Sequence, residues 1–275
     1  MKAYQRIIRE TKKKPDIILA DDAIKDAYVQ PILKEEAEKI ILNYEWLGNM
    51  GNTRHYYGIF FKQGRKILLA GVTCFGVPGA TMGYIHYVGK RYAKRGIQLS
   101  RGACVPWAHR HTASKLISQS LKQIQQRDYK YVVAFSDPEA GEIGTVYQAT
   151  NWHYTGRSMP STSLYIKDRN EKILDTRDVY RYFRPRGIDM DVILNSDNME
   201  DYLDMDQKNS RVGVNKLQEV IAQRGNLILK TGVPKHRYIF LLGSKKDKKH
   251  MMKTLCNKIQ QYPKRDDYSE DLQYI

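Results

Sequence analysis

The sequence predicts an α/β (α+β) protein with a mixed central sheet flanked by helices. Amphipathic helices alternate with short strands, one strand is too apolar for the edge of a sheet, and two runs of β-branched and aromatic residues flank a tight turn. Between residues 31 and 166 the expected order is helix, three strands, helix, strand, helix and closing strands. Such an order brings parallel and antiparallel strands into one sheet.

Turn and capping residues predict the first elements. A proline followed by acidic and regularly spaced apolar residues predicts a helix over 32–46. Residues 55–77 predict a β-hairpin with KQGR as its turn, and 97–105 a short strand. Residues 1–30 are expected to form a loosely attached arm.

Apolar periodicity predicts the later elements. A stripe of leucine and isoleucine predicts a helix over 112–127, and the apolar run 129–135 predicts a buried central strand. A short helix over 143–150 and strands at 152–154 and 163–166 follow. The weaker pattern beyond residue 177 predicts a helix over 214–222, a strand over 236–242 and a basic helix over 245–261.

The formal net charge of +16 predicts a nucleic-acid partner, because an excess of this size attracts polyanions and releases their counterions. Residues 206–265 hold 15 Lys and Arg against 3 Asp and Glu, whereas 187–206 hold 7 acidic residues and no basic one. The acidic stretch is expected to be a solvated loop or a mask over the basic part. The predicted organisation is an arm (1–30), a catalytic core (31–170), a basic C-terminal extension (171–265) with an acidic insertion (187–206), and a tail (266–275).

Composition also excludes several classes of protein. Three widely spaced cysteines exclude a disulfide framework and the common zinc patterns. No apolar run is long enough to span a membrane, so we expect a protein of the cell interior with no membrane partner. His109 and His111 lie two apart, but a metal site there would need a further ligand that the sequence does not identify, so no metal is predicted.

The segment 97–121 is predicted to bind phosphate. Its strand ends in Cys104-Val105-Pro106 and its helix begins near Thr112, where free amides attract anions. The segment resembles the acyl-CoA-binding motif of the GNAT acyltransferases, with Ala113 and Lys115 at positions where that motif has small residues. The resemblance implies a donor-binding set, although an ordinary helix cap is an alternative: Arg110, Thr112 and Ser114.

The segment AFSDPEAGEIGTVYQATNW, residues 134–152, presents polar groups at a strand end and a tyrosine on the next helix. It resembles the GNAT pattern Y-x-x-x-G-F, in which the tyrosine protonates the leaving thiolate. Tyr147 is therefore the first catalytic candidate.

Three segments together are similar to the phage Mom family of DNA-modifying proteins: LSRGACVPWAHRHTASKLISQSL, the segment around FSDP, and KHRYIFLLGSKKDKKHMMKTLCNKIQQYPK. The resemblance implies a GNAT-like fold, the cytoplasm of an infected bacterial host, and a carbamoylmethyl-type group placed on adenine N6 of double-stranded DNA, which protects the DNA from restriction. The matching motifs imply four catalytic residues, although a turn or a cap would also explain the Ser-Asp-Pro pair: Arg101, Ser136, Asp137 and Tyr147.

Further residues are assigned to the substrates. A flipped adenine would stack on aromatic side chains, with Trp46, Trp107 and Trp152 as candidates. The expected substrate pocket comprises His55, Tyr57, Gln148 and Asn151, although a histidine beside tyrosines in a strand is also a common packing residue. The expected DNA-binding residues are Lys245, Lys246, Lys248 and Lys249.

The donor is left open between acetyl-CoA and an activated glycine such as glycyl-tRNA, which would make tRNA a second partner. A glycyl group on N6 is an isomer of a carbamoylmethyl group, and attack of its amine on purine C6 would interconvert the two. Two other functions remain: a GNAT N-acetyltransferase acting on aminoacyl-tRNA or protein amines, and a non-catalytic DNA-binding protein.

Overall fold

The structure, a computed structural model, describes residues 19–77, 85–183, 187–203 and 214–264. The chain forms two compact units. The first consists of Met1–Arg157 and Lys235–Ile275, and the second of Ser158–Pro234.

The described strands are β1 Tyr28–Pro31, β2 Thr53–Gln63, β3 Lys66–Gly76, β4 Gly96–Cys104, β5 Tyr131–Ser136, β6 His153–Arg157, β7 Thr162–Ile166, β8 Glu171–Leu174, β9 Leu227–Thr231 and β10 His236–Leu241. The described α-helices are α1 Ala23–Asp26, α2 Lys34–Tyr44, α3 Ile85–Val88, α4 Thr112–Gln126, α5 Thr145–Gln148, α6 Thr176–Tyr182, α7 Met190–Leu194, α8 Val214–Ala222 and α9 Lys245–Lys253. Short 3₁₀ helices occupy Lys90–Arg95, Pro138–Ala140 and Met199–Tyr202.

The first unit is built on a mixed sheet, which confirms the predicted fold class. Over the described residues its strand order is β1-β2-β3-β4-β5-β10-β6. Among the pairings of these seven described strands, only that of β4 with β5 is parallel. This pairing extends from Gly96 opposite Tyr131 to Leu99 opposite Ala134. β4 then continues to Cys104 paired with β3 alone, so the two central strands separate at this end of the sheet.

The side chains of β5 point alternately to the two faces of this sheet, and helices pack on each face. Val132 and Ala134 pack in one cluster with the apolar stripe of α4. Tyr131 and Val133 point to the opposite face and pack in a cluster with Tyr92 and Met251. The 3₁₀ helix Lys90–Arg95 and helix α9 therefore lie on the face opposite α4.

Strand β10 corrects the predicted domain organisation. The prediction assigned residues 171–265 to an extension that follows the core, but β10 pairs with β5 on one side and β6 on the other. Tyr238, Ile239 and Leu241 of this strand are buried, so it belongs inside the core sheet. The core also ends at Arg157 before it resumes at Lys235, rather than running to residue 170.

The second unit has its own sheet and core. β7 pairs antiparallel with β8 and β9, so the strand predicted at 163–166 does not close the main sheet. The stretch predicted to be a solvated acidic loop, 187–206, is described to residue 203 and contributes buried Ile193, Leu194 and Met199 to this core. Its acidic residues come before, between and after these apolar ones in the sequence, and composition alone did not separate the two sets.

Several boundaries differ from the predicted ones for local reasons. The proline that was expected to begin the first helix is the last residue of β1, a strand that pairs with β2 and that the sequence prediction missed. α5 begins only at Thr145 because Gly144 has φ of 78°, outside the helical region. The basic helix predicted to residue 261 ends at Lys253.

Two glycines of β4 provide a test of core packing. A Cβ at Gly96 would lie 2.1 Å from Cζ of the fully buried Tyr131, whereas a Cβ at Gly102 would meet nothing closer than 3.5 Å. We expect Gly96→Ala to lower the free energy of unfolding by about 1–3 kcal/mol because the ring has no room to move. Chemical denaturation measures the effect, with Gly102→Ala as the control; equal midpoints for the two variants would contradict it.

Candidate active site

A cavity of about 660 Å³ lies beside the end of β4, beyond the point where β4 is paired with β5. One wall is the end of β4 and the turn that leads into α4. The other wall is the loop before α5 together with the first turn of that helix. The lining residues include Leu99, Gly102–Pro106, Ala108–Ser114, Leu116, Ile117 and Gly141–Tyr147.

The N-terminus of α4 gives one end of this cavity an anion-binding character. Thr112 is 1% exposed, and its hydroxyl has no hydrogen-bond partner among the described residues. The Ser114 hydroxyl donates to the His111 carbonyl, so neither Thr112 nor Ser114 caps the helix as the alternative interpretation expected. The Thr112 amide donates to the His109 carbonyl. The next amides of the first turn lack intrahelical partners, and together with the exposed Arg110 side chain they favour an anion at this end of the cavity.

Lys115 occupies the position where the acyl-CoA motif has a small residue. Its amine donates hydrogen bonds to the carbonyls of Ile24 and Lys25 at the end of α1. These contacts hold the long side chain against α1. The lysine is absent from the residues that line the cavity, so it does not occupy the space at the helix N-terminus.

Tyr147 lines the opposite wall. Its ring centroid lies 5.1 Å from that of Trp152 and 5.2 Å from that of Tyr238, which holds the phenol in a fixed position. Burial raises the pKa of Tyr147 above its usual value, and nearby Glu142, Tyr238 and Glu45 raise it further. The phenol is therefore protonated at neutral pH and suited to donating a proton.

Ser136 is the last residue of β5 and Asp137 directly follows it, but the cavity lining includes neither. The Asp137 carboxylate accepts a hydrogen bond from the Glu139 amide at 3.1 Å and forms an ion pair with Lys235 at 2.6 Å. The Ser136 hydroxyl is buried without a hydrogen-bond partner among the described residues, next to Gly144. Lys235 was missed because it lies almost a hundred residues away in the sequence.

Arg101 lies on β4, but its guanidinium is engaged by the loop that follows α2. Its Nε donates to the Asn49 carbonyl at 2.7 Å, and Nη2 donates to the Asn49 side chain at 2.8 Å. Burial raises the pKa of Glu45 in the same loop, an effect that the positive charge of Arg101 opposes. This geometry gives Arg101 the task of holding the loop; its predicted contact with the donor stays a prediction.

The predicted substrate-pocket residues do not meet at the cavity. His55 Nε2 lies 3.1 Å from the Tyr129 hydroxyl, and the buried Tyr57 hydroxyl accepts a hydrogen bond from Arg127. The Gln148 side chain donates to carbonyl and hydroxyl groups of the core. Asn151 is exposed in a turn with φ of 58°. Their contacts explain them as packing, hydrogen-bonding and turn residues.

A model of the Mom protein family matches residues 26–264. The chain belongs to this family. The match spans both units, and it supports a modification or acyl-transfer role. No curated protein sequence matches the chain.

Solved structures similar to the chain include an acetyltransferase from Bacillus subtilis in complex with CoA, at 8% identity and a TM-score of 0.35 over 79% of this chain and 98% of that one. A putative acetyltransferase from Salmonella typhimurium with acetyl-CoA is 11% identical, with a TM-score of 0.35 over 49% and 83% of the two chains. A tandem GNAT protein from the clavulanic acid pathway is 12% identical, with a TM-score of 0.32 over 80% and 76%. At these TM-scores the likenesses do not indicate the donor or the acceptor.

Two further properties concern metals and membranes. In the described ranges no group of three or more His, Cys, Asp or Glu side chains is placed to hold a metal ion. None of the described helices has the length and apolar character needed to cross a bilayer.

Substitution of two arginines distinguishes a residue that holds the loop after α2 from one that is expected to bind the donor. Arg101→Ala removes charge-assisted hydrogen bonds to Asn49, so we expect a loss of about 1–3 kcal/mol in the free energy of unfolding and faster amide exchange at 45–51. Arg110→Ala is the matched control, because Arg110 is exposed and should leave both unchanged. Hydrogen exchange followed by mass spectrometry measures the loop; identical exchange in the two variants would refute the assigned role of Arg101.

Proposed function

We propose that this protein transfers a small acyl-derived group from a phosphate-bearing donor to N6 of adenine in DNA, giving a carbamoylmethyl-type product that protects the DNA from restriction. The observation that carries the proposal is a single cavity that joins the N-terminus of α4 to the phenol of Tyr147. Membership of the Mom family supports the same role.

The donor is proposed to enter along α4. Its phosphate would accept hydrogen bonds from the first amides of that helix and from the unpartnered hydroxyl of Thr112, with Arg110 adding positive charge. This places the acyl carbon deeper in the cavity, toward Tyr147. The arrangement uses the positive end of the helix dipole where charge must be neutralised.

The proposed reaction needs one proton to leave and one to arrive. The adenine amine attacks the acyl carbonyl, a new C–N bond forms, and the bond to the leaving group breaks, which gives an N6-acyl adenine. With a glycyl donor, the glycyl amine then attacks purine C6 and the bond between C6 and the original N6 breaks, which gives the carbamoylmethyl isomer. Tyr147 donates its proton to the departing thiolate or alkoxide, for which a protonated phenol is suited. The amine loses its proton to a base, and the proposed candidate is Asp137, which is paired with Lys235 at the strand end and lies outside the cavity lining.

The adenine must leave the duplex to reach the cavity. Of the three tryptophans proposed to stack on it, Trp152 is fully buried in the core and is not available. Trp46 and Trp107 are half-buried and remain candidates. Trp107 lies in the turn between β4 and α4, beside residues that line the cavity.

The proposed roles of Tyr147 and Asp137 in proton transfer predict that replacing either side chain by one of similar shape slows the modification strongly. Tyr147→Phe and Asp137→Asn should each lower the modification rate by roughly 10²–10⁴-fold, because each removes a proton donor or acceptor. Because burial raises the pKa of Tyr147, no loss of activity from its deprotonation is expected between about pH 7 and 9. Mass spectrometry of DNA nucleosides measures the product.

The control is Tyr180→Phe, which removes a phenol hydroxyl from an exposed side chain of the second unit. It should modify DNA at the wild-type rate. Full activity in both Tyr147→Phe and Asp137→Asn, with unchanged unfolding, would refute the assignment of these residues.

The donor is tested directly with labelled substrates. We favour glycyl-tRNA because a glycyl group on N6 contains all the atoms of the carbamoylmethyl product, whereas an acetyl group lacks the nitrogen. Purified protein and DNA are incubated with labelled glycyl-tRNA or labelled acetyl-CoA and digested to nucleosides. Label on deoxyadenosine from acetyl-CoA alone would exclude the glycyl donor; DNA left unmodified by both donors would favour a non-catalytic DNA-binding protein.

A further inference from the structure

The net positive charge of the chain lies on one of its two units. Residues 158–234 contain 12 Lys and Arg and 12 Asp and Glu, so the second unit is neutral. Subtracted from the totals of 46 and 30, this leaves 34 basic and 18 acidic residues, a net +16, on the first unit. A polyanion is therefore attracted to the unit that contains the cavity.

Two basic segments far apart in the sequence lie side by side on that unit. The Tyr92 hydroxyl donates to Asp247 at 3.0 Å, and the Tyr92 ring lies 5.5 Å from that of His250. The Thr254 hydroxyl donates to the Val88 carbonyl at 2.9 Å. The 3₁₀ helix Lys90–Arg95 and helix α9 are thus joined along one edge, although about 150 residues separate them in the sequence.

Most of the lysine and arginine side chains of the two helices are exposed to solvent. Tyr92, Ala93 and Met251 are buried and hold the helices on the sheet. Six of the basic side chains that remain exposed form what we call the basic face: Lys90, Arg91, Lys94, Lys245, Lys246 and Lys249.

Asp247, the acidic residue of α9, does not neutralise this face. Its carboxylate accepts hydrogen bonds from the Ser244 hydroxyl at 2.9 Å and from Lys130 at 3.2 Å, in addition to the one from Tyr92. These bonds lower the pKa of Asp247 and keep it ionised. Its charge is directed at the N-terminus of α9 and at the sheet below, so the outer surface stays positive.

The basic face and the donor end of the cavity use opposite sides of the sheet. α4, whose N-terminus lines the cavity, packs with Val132 and Ala134, whereas the basic face is carried by helices packed with Tyr131 and Val133. A polyanion bound to the basic face therefore does not compete with a donor held at the N-terminus of α4. The face is therefore open to the acceptor DNA while the donor is bound.

We propose that the basic face binds the phosphate backbone of duplex DNA without reading its sequence. The inference rests on the proposed function for the identity of the ligand as the DNA acceptor. Exposed lysine and arginine side chains in two adjoining short helices provide several phosphate contacts, and such contacts position a protein on a duplex but do not select bases. Selection of the adenine belongs to the cavity end of the unit.

The test compares three triple variants of the full chain. One carries Lys90→Gln, Arg91→Gln and Lys94→Gln; another carries Lys245→Gln, Lys246→Gln and Lys249→Gln. The matched control carries Lys62→Gln, Arg65→Gln and Lys66→Gln at the exposed end of the hairpin formed by β2 and β3, and it loses the same charge. Fluorescence anisotropy measures Kd for labelled duplexes of two unrelated sequences over a range of salt concentrations, after circular dichroism has shown that all three variants fold.

Each basic-face triple is expected to weaken binding by about tenfold or more at physiological salt, equally for both duplexes. It should also reduce the slope of log K against log salt by up to about 3, one for each lost phosphate contact. Wild-type affinity in both basic-face triples would overturn the inference. An equal loss in the control would also overturn it, because net charge rather than position would then explain the binding.

Two further measurements separate the inference from the proposed function. If the basic-face triples lose affinity for tRNA but keep their affinity for DNA, the face binds the donor and the inference is wrong. If the wild-type protein binds DNA through the face but nucleoside mass spectrometry finds no modified adenine with any donor, the proposed function fails while the binding surface stands.

Discussion

The parallel pairing of β4 with β5, and its end at Leu99 and Ala134, is the constraint on which the site depends. Parallel strands require a crossover connection, and here α4 supplies it, so its N-terminus must lie where β4 ends. Beyond Leu99 the two strands are no longer paired, and the cavity lies between the end of β4, the N-terminus of α4 and the loop before α5. The backbone amides of α4 on one side and Tyr147 on the other are brought together by this separation, whatever the donor is.

The first unit contains buried ionisable groups that stay neutral, an ion pair at the end of β5, and exposed positive charges on its surface. Burial among aromatic rings keeps the Tyr147 phenol neutral, and burial also raises the pKa of the Cys74 thiol, to about 12, so that it stays protonated. The Lys235–Asp137 pair places a balanced charge at the end of β5. Exposed lysines on the opposite face provide unbalanced charge where water and counterions screen it. The sheet therefore lies between Tyr147, which is proposed to transfer a proton, and the exposed lysines, which are proposed to attract the DNA.

Much of the core could be predicted because its signals are local. The stripe of α4, the apolar run of β5 and the hairpin turn each depend on neighbouring residues, and the structure has all three elements within a few residues of the predicted bounds. The sequence could not assign β10 to the core sheet, since strand pairing is set by long-range packing rather than by the strand's own residues. Lys235 was missed for the same reason: its partner Asp137 is adjacent only after β10 pairs with β5.

The sequence by itself determined the family, the mixed α/β class, the excess of positive charge and the segments that flank the cavity, because each is a property of composition or of short motifs. The tertiary structure decided which of the proposed residues meet. It placed Thr112 and Tyr147 on facing walls, directed Arg101 to a loop, assigned His55, Tyr57, Gln148 and Asn151 to other contacts, and joined the 90–95 segment to α9. Those outcomes depend on burial and on strand pairing, which bring distant residues into contact and which no local pattern encodes.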